Sequence, residues 1–148
     1  METKPDYKEL FGLLNAHGVN YVIVGAYALA FHGVPGHTGD VDVLGEAATS
    51  NAALAMAALT EFGFGAVGLK ASDFEVADKV VQLGVPPVRI DIMTSIDGVS
   101  WDDAIASRAA GDYGGVPVWV IGRDMLIKNK RSTGRLKDLA DVEALEEQ

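Results

Sequence analysis

Residues 40–43, Asp-Val-Asp-Val, constrain this chain more than any other stretch. On a strand, alternation points Asp40 and Asp42 to one face and Val41 and Val43 to the other, so that neighbouring carboxylates stand above a core. Such a pair repels unless a cation lies between its members. It suits Mg²⁺ or Mn²⁺, hard ions that take carboxylate and water ligands and often complete their shell with substrate phosphates. A third carboxylate is then expected on a neighbouring strand, and residues 88–92, Val-Arg-Ile-Asp-Ile, supply it. There Val88, Ile90 and Ile92 form the apolar face while Arg89 and Asp91 share the other. Two roles are open to Arg89: binding a phosphate, or neutralising a carboxylate. An Asp-x-Asp pair standing alone reads as a solvated sheet face. Here Asp91 matches its face and a glycine turn precedes it.

That turn follows an apolar run, residues 21–24, which reads as a short buried strand. Gly25-Ala26 then leads into a helical pattern that ends near Gly33. A strand, a glycine beside a small residue, a helix, Asp-x-Asp on the next strand and a later Asp together resemble the DNA polymerase β-like nucleotidyltransferases. The 13 residues from Tyr27 to Gly39 that separate Gly25-Ala26 from Asp40 match the usual spacing of that superfamily. The segments V-G-A-Y-A-L-A-F-H-G, T-G-D-V-D-V and K-R-S-T-G-R-L-K-D-L-A-D-V-E-A-L look like its small bacterial branch, which includes the AbiEii-type proteins. The resemblance runs from Tyr21 to about Leu145.

The resemblance implies an α/β fold: a mixed, twisted sheet of the nucleotidyltransferase palm type with helices packed on one face and a C-terminal helical pair. Asp40, Asp42 and Asp91 are then expected on an exposed edge of the sheet as catalytic metal ligands, with Mg²⁺ or Mn²⁺ as cofactor. The implied chemistry is in-line displacement at the α-phosphorus of a nucleoside triphosphate, assisted by two metals about 3.5–4 Å apart, with pyrophosphate leaving. Asp91 would complete the catalytic metal shell and take the acceptor proton. Gly25 and Ala26 would offer backbone N–H groups to the phosphates, and Thr38, Arg89, Lys130 and Lys137 are further nucleotide-binding candidates. Thr38 also suits a turn-shaping role. Two positions depart from the family pattern. Ala26 replaces a residue that often carries a hydroxyl, leaving only its N–H for phosphate. Gly36 stands where the branch commonly places Arg. A catalytically degenerate nucleotide-binding or interaction module is therefore the competing reading. Half of a toxin–antitoxin pair, with a partner protein, is a third that rests on the resemblance alone.

A chain of 148 residues, 49% apolar, fits a single domain over residues 1–148 with a sizeable core. It has no cysteine, which removes disulfides and thiolate metal sites and accords with a reducing cytoplasm. No run approaches the roughly 20 apolar residues of a membrane span, and the N-terminus lacks a signal-peptide core. The formal charge of −9 argues against tracking a long nucleic acid by bulk electrostatics. A small substrate such as an NTP is favoured; the acceptor is left open among tRNA, a protein hydroxyl and a small molecule. Six of the 12 basic residues nevertheless fall within 15 positions, 123–137, and form a candidate anion site.

Periodicity predicts helices over residues 6–16, 50–62, 101–107, 123–131 and 136–146 and a short helix or loop over 71–77. Strands are expected at 79–83, 88–92 and 116–121, the first two as a hairpin about residues 84–87. Residues 111–115, Gly-Asp-Tyr-Gly-Gly, read as turn. Thr49 or Ser50 is expected to cap the helix that presents Leu54, Leu59 and Phe62, and the last helix to point Leu136, Leu139, Ala140 and Leu145 inward. His17 is expected to cap a helix end, His32 and His37 to be structural or solvated, and Trp119 to lie in the core.

Overall fold

The computed structural model describes residues 3–35, 40–65, 67–85 and 88–148. Thr38, with Gly36 and His37, lies outside these residues, as do Pro86 and Pro87. The elements run α1 (Pro5–Ala16), β1 (Tyr21–Val24), α2 (Gly25–Phe31), β2 (Asp40–Gly45), α3 (Thr49–Leu59), α4 (Ser72–Glu75), β3 (Val80–Val85) and β4 (Val88–Met93). They continue through α5 (Trp101–Ser107), β5 (Ala109–Tyr113), β6 (Val116–Val120), α6 (Arg123–Thr133) and α7 (Leu136–Glu146).

Six strands form one mixed sheet in the order β3-β4-β2-β1-β6-β5. β1 runs antiparallel to β2 and parallel to β6, and β2 runs parallel to β4. All four residues of β1 are buried, which makes this short apolar strand the centre of the core. Around it pack Tyr7, Leu10, Phe11 and Leu14 of α1, Leu126 of α6 and Leu145 of α7. Phe11 stacks on Tyr21 with ring centroids 6.3 Å apart, and Tyr113 packs edge-on to Phe11 at 5.3 Å. The Tyr7 hydroxyl bridges to the Arg89 backbone, accepting from its N–H at 3.2 Å and donating to its carbonyl at 3.0 Å.

Helix ends follow local chemistry. α1 starts at Pro5 and is capped at its C-terminus by His17, whose ring also lies 3.5 Å from Glu61. α5 is capped by Ser100, which accepts from Asp103 N–H at 3.1 Å. α6 ends at Gly134 in the left-handed conformation, φ 68°, the turn needed to bring α7 back against α6. His32 follows α2 and binds the Ile121 carbonyl at 2.7 Å, a structural role.

Several expectations are corrected. The carboxylate strands are interior strands of the sheet, not an edge: β3 flanks β4 and β1 flanks β2. Residues 109–113 form a strand, β5, because Gly114 and Gly115 both take positive φ and close a tight hairpin in which Tyr113 pairs with Val116. α3 begins after Ala48 without a side-chain cap, buries Asn51, Ala52, Ala55, Ala58 and Leu59, and leaves Leu54 at 38% exposure. It passes into a π-helical turn, Thr60–Phe64, where Gly63 has φ 118°. Trp119 is 40% exposed because it occupies the outward position of β6 between buried Val118 and Val120; Arg108 stands 4.6 Å over its ring. On α7 the inward residues are Asp138, Val142 and Leu145, while Leu136 is 85% and Leu139 39% exposed and Ala140 is exposed.

Candidate active site

The site is built where β1 turns into α2. Gly25 has φ +70°, a conformation that L-residues with side chains adopt at a cost. The turn also needs space, because a β-carbon here would overlap the Asp42 carboxylate. Val24 is the antiparallel partner of Asp42, so the end of β1 delivers the turn directly beside that carboxylate.

β2 and β4 then bring the acidic residues together by register. In the parallel ladder Asp42 pairs with Asp91 and Asp40 with Arg89, while Val41 and Val43 pair with Ile90 and Ile92. Val41, Val43, Ile90 and Ile92 are buried, and the polar set shares the other face. Arg89 is part of the cluster: its Nε lies 3.2 Å from Asp91 Oδ1, its Nη2 3.4 Å from Asp91 Oδ2, and its Nε 4.0 Å from Asp40 Oδ2. Burial, followed by the charges of Asp91 and Asp40, pushes the Asp42 carboxyl up to about 6 against the opposing pull of Arg89 and Lys130.

The donor set, carboxylates alone, has the chemistry of a hard divalent cation site. Its side chains do not converge: among the described residues no group of three or more His, Cys, Asp or Glu is arranged to hold a metal ion. The Arg89 guanidinium instead engages Asp91 and approaches Asp40. The side-chain placement fits a guanidinium.

A cleft of about 1020 Å³ opens over this face, lined by Gly25, Ala26, Asp40 and Asp42 and, from the C-terminal helices, by Lys130 and Lys137. The basic block therefore folds back to the carboxylates. Lys137 is exposed. Lys130 is 8% exposed, and its Nζ lies 3.2 Å from Asp138 Oδ1 and 3.0 Å from Asp141 Oδ2. Asp138 also accepts from Thr133 Oγ1 at 2.6 Å and from Arg135 Nε at 2.8 Å. Burial by itself raises the Asp138 carboxyl, but the hydrogen bonds from Thr133, Arg135 and Lys130 outweigh it and hold the group below its usual range. Local periodicity does not distinguish Asp138 from a solvated residue: Arg135 is a near neighbour at i,i+3, but Lys130 and Thr133 lie across the Gly134 turn. Tyr7, which anchors the Arg89 backbone from a helix 82 positions away, carried no local signal either.

No protein-family model matches the chain, and no curated protein matches it. Solved structures do. A proposed nucleotidyltransferase from Thermotoga maritima superposes with a TM-score of 0.66 at 16% identity, covering 99% of this chain and 97% of the other. An antigenic nucleotidyltransferase-like protein from Paracoccidioides brasiliensis gives 0.54 at 17% identity, covering 97% and 76%. The fold is nucleotidyltransferase-like. At 16–17% identity this likeness speaks for the backbone and not for any side chain.

Proposed function

We propose that the chain is a metal-dependent nucleotidyltransferase that moves a nucleoside monophosphate from an NTP to an acceptor hydroxyl. The observation that carries this reading is the register of Asp42 with Asp91 on adjacent parallel strands, beside the left-handed Gly25 turn, with Asp42 facing a cleft it shares with Lys130 and Lys137. Asp40, Asp42 and Asp91 are the residues that would hold Mg²⁺ or Mn²⁺. Bound there, the ion would neutralise phosphate charge and favour the deprotonated form of the acceptor hydroxyl. Asp91 would take the acceptor proton; the acceptor oxygen bonds to the α-phosphorus as the bond to pyrophosphate breaks. The backbone N–H groups of Gly25 and Ala26, with Thr38, Arg89 and Lys137, would bind the triphosphate, and Lys130 would add its charge from within its ion-pair network.

The acceptor is one of tRNA, a protein hydroxyl or a small molecule, encountered in the cytoplasm. Incubation with labelled NTPs, Mn²⁺ or Mg²⁺ and a lysate tests the reading: metal-dependent release of pyrophosphate with label on an acceptor supports it. No transfer by the wild-type chain under conditions where Asp42→Asn is equally silent removes it.

The ion pair from Arg89 to Asp91 favours a second reading, a module that keeps the fold and binds nucleotide or a partner protein without turnover. Membership of the AbiEii-type branch and a toxin–antitoxin pairing belong to this reading as proposals, supported by the C-terminal K-R-S-T-G-R-L-K-D block. A toxic phenotype relieved by an adjacent gene would support them.

A further inference from the structure

We propose that Lys4, immediately before α1, is a phosphate-binding residue of the cleft, gripping the phosphate chain of the nucleoside triphosphate together with Lys137 from the other end of the chain. The inference rests on the nucleotidyltransferase reading and adds to it a contact from outside the Gly25 turn, the strand carboxylates and the C-terminal basic block.

Lys4 lines the same cleft as Gly25, Ala26, Asp40, Asp42 and Lys137. Its backbone is fixed there at both polar groups. The N–H donates to the Tyr113 hydroxyl at 2.9 Å, from 109 positions away, and the carbonyl accepts from Lys8 N–H at 3.1 Å in the first turn of α1. Tyr113 is buried and packs on Tyr27 of α2 with ring centroids 5.5 Å apart, so one tyrosine ties the N-terminal segment to the helix that follows Gly25. The Lys4 Nζ stands 5.4 Å from the centroid of the Tyr7 ring. The hydroxyl of that ring holds both backbone groups of Arg89, the register partner of Asp40. The fold thus carries the ammonium to the end of the cleft where Asp40 lies.

The charges of the cleft point the same way. Among its described lining residues the cations are Lys4, Lys130, Arg135 and Lys137. Lys130 is held by Asp138 and Asp141 at 3.2 and 3.0 Å, and Arg135 by Asp138 at 2.8 Å, so these two serve the α6–α7 pair. A phosphate chain entering beside Asp40 and Asp42 meets their repulsion, and Lys137 by itself is a weak counterweight. Lys4 adds a second ammonium, on a flexible stem with three donors that can turn from the ring toward an oxygen. A cation–π contact at a partly exposed site is weaker than a charge-assisted hydrogen bond to phosphate, so the phosphate outcompetes the ring.

Calorimetric titration of the full chain tests this, with inorganic tripolyphosphate in the absence of metal and a non-hydrolysable NTP analogue in Mg²⁺ as probes. Lys4→Met keeps an apolar stem over Tyr7 and deletes the charge. The Lys4 side chain makes no capping hydrogen bond to α1, so the variant should melt with the wild type. It should bind both probes about tenfold more weakly, the loss expected for one charge-assisted hydrogen bond, and the difference should shrink as salt is raised. Lys4→Arg should bind within about threefold of the wild type, because it keeps the charge and the donors. Lys8, one turn further along α1 and not among the described lining residues of the cleft, controls for overall charge, and Lys8→Met should bind as the wild type does. Binding of either probe that Lys4→Met leaves unchanged, an equal loss in Lys8→Met, or a loss that Lys4→Arg shares overturns the role of Lys4 and leaves the nucleotidyltransferase reading standing. Failure of the wild type to bind either probe overturns both.

Discussion

A β-carbon at position 25 would stand 3.0 Å from Asp42 Cγ and would overlap its carboxylate oxygen, so the glycine and the acid occupy one shared space. Backbone conformation and site chemistry are coupled at this point. Position 25 needs φ +70° for the strand-to-helix turn, and the same missing side chain leaves Asp42 its place facing the cleft.

Gly25→Ala should therefore destabilise the fold by about 2–4 kcal/mol, summing left-handed strain and overlap with a half-buried group. A urea melt measures it. Because Asp42 must shift, metal or nucleotide binding should fall more than stability does; a variant within about 0.5 kcal/mol of the wild type would contradict this account.

Asp42 gives the pH dependence an unusual sign. Its carboxyl is raised to about 6 in the fold, so the folded state holds the proton more tightly than the unfolded chain, whose value lies near 3.9. Stability from this group is fully present below about pH 4 and is lost as pH rises through about 6. Asp42→Asn should stabilise the metal-free protein above pH 7 by on the order of 1–2 kcal/mol, allowing for the part of the group that water screens. The gain should vanish near pH 4, and melts at pH 4, 6 and 8 without metal check it. A structural aspartate in a favourable ion pair would lose stability on the same change.

Lys130 and Lys137 should separate sharply. Removing the Lys130 amine leaves Asp138, 5% exposed, without one of its cations, a change that typically costs 3–5 kcal/mol in buried pairs. Lys130→Ala should melt well below the wild type, whereas Lys137→Ala, at an exposed position, should change stability by less than about 0.5 kcal/mol and weaken nucleotide binding. The Asp138 carboxyl is held low, so its contribution is present above the ordinary carboxylate range and is lost as pH falls through its folded value. Acid should thus narrow the gap between Lys130→Ala and the wild type.

The last helix offers a test of its facing. Leu136→Ser, at 85% exposure, should leave the melting temperature nearly unchanged, while Leu145→Ala, at 0%, should cost about 2–5 kcal/mol. Equal effects would show that α7 packs by a different face.

What the sequence by itself determined is whatever depends on neighbours within a few positions. Alternation placed Asp40 and Asp42 on one face and Arg89 and Asp91 on another strand's matching face; the apolar run 21–24 and Gly25 marked the strand and its turn. Gly134 marked the break between α6 and α7. The Gly-Gly pair at 114–115 also carried a local signal, for a hairpin, but without apolar alternation upstream it read as turn. Only the tertiary structure decided how these parts meet. The parallel pairing that sets Asp42 against Asp91, the interior place of β2 and β4, and the Tyr7 hydroxyl under Arg89 join residues far apart in the chain. The same holds for α7, whose leucines at 136 and 139 face outward because burying Asp138 against Lys130, Thr133 and Arg135 fixes the helix rotation. Hydrophobic periodicity records which residues are apolar. It does not record that a polar residue with one partner beside it and two across a turn can take the inward position instead.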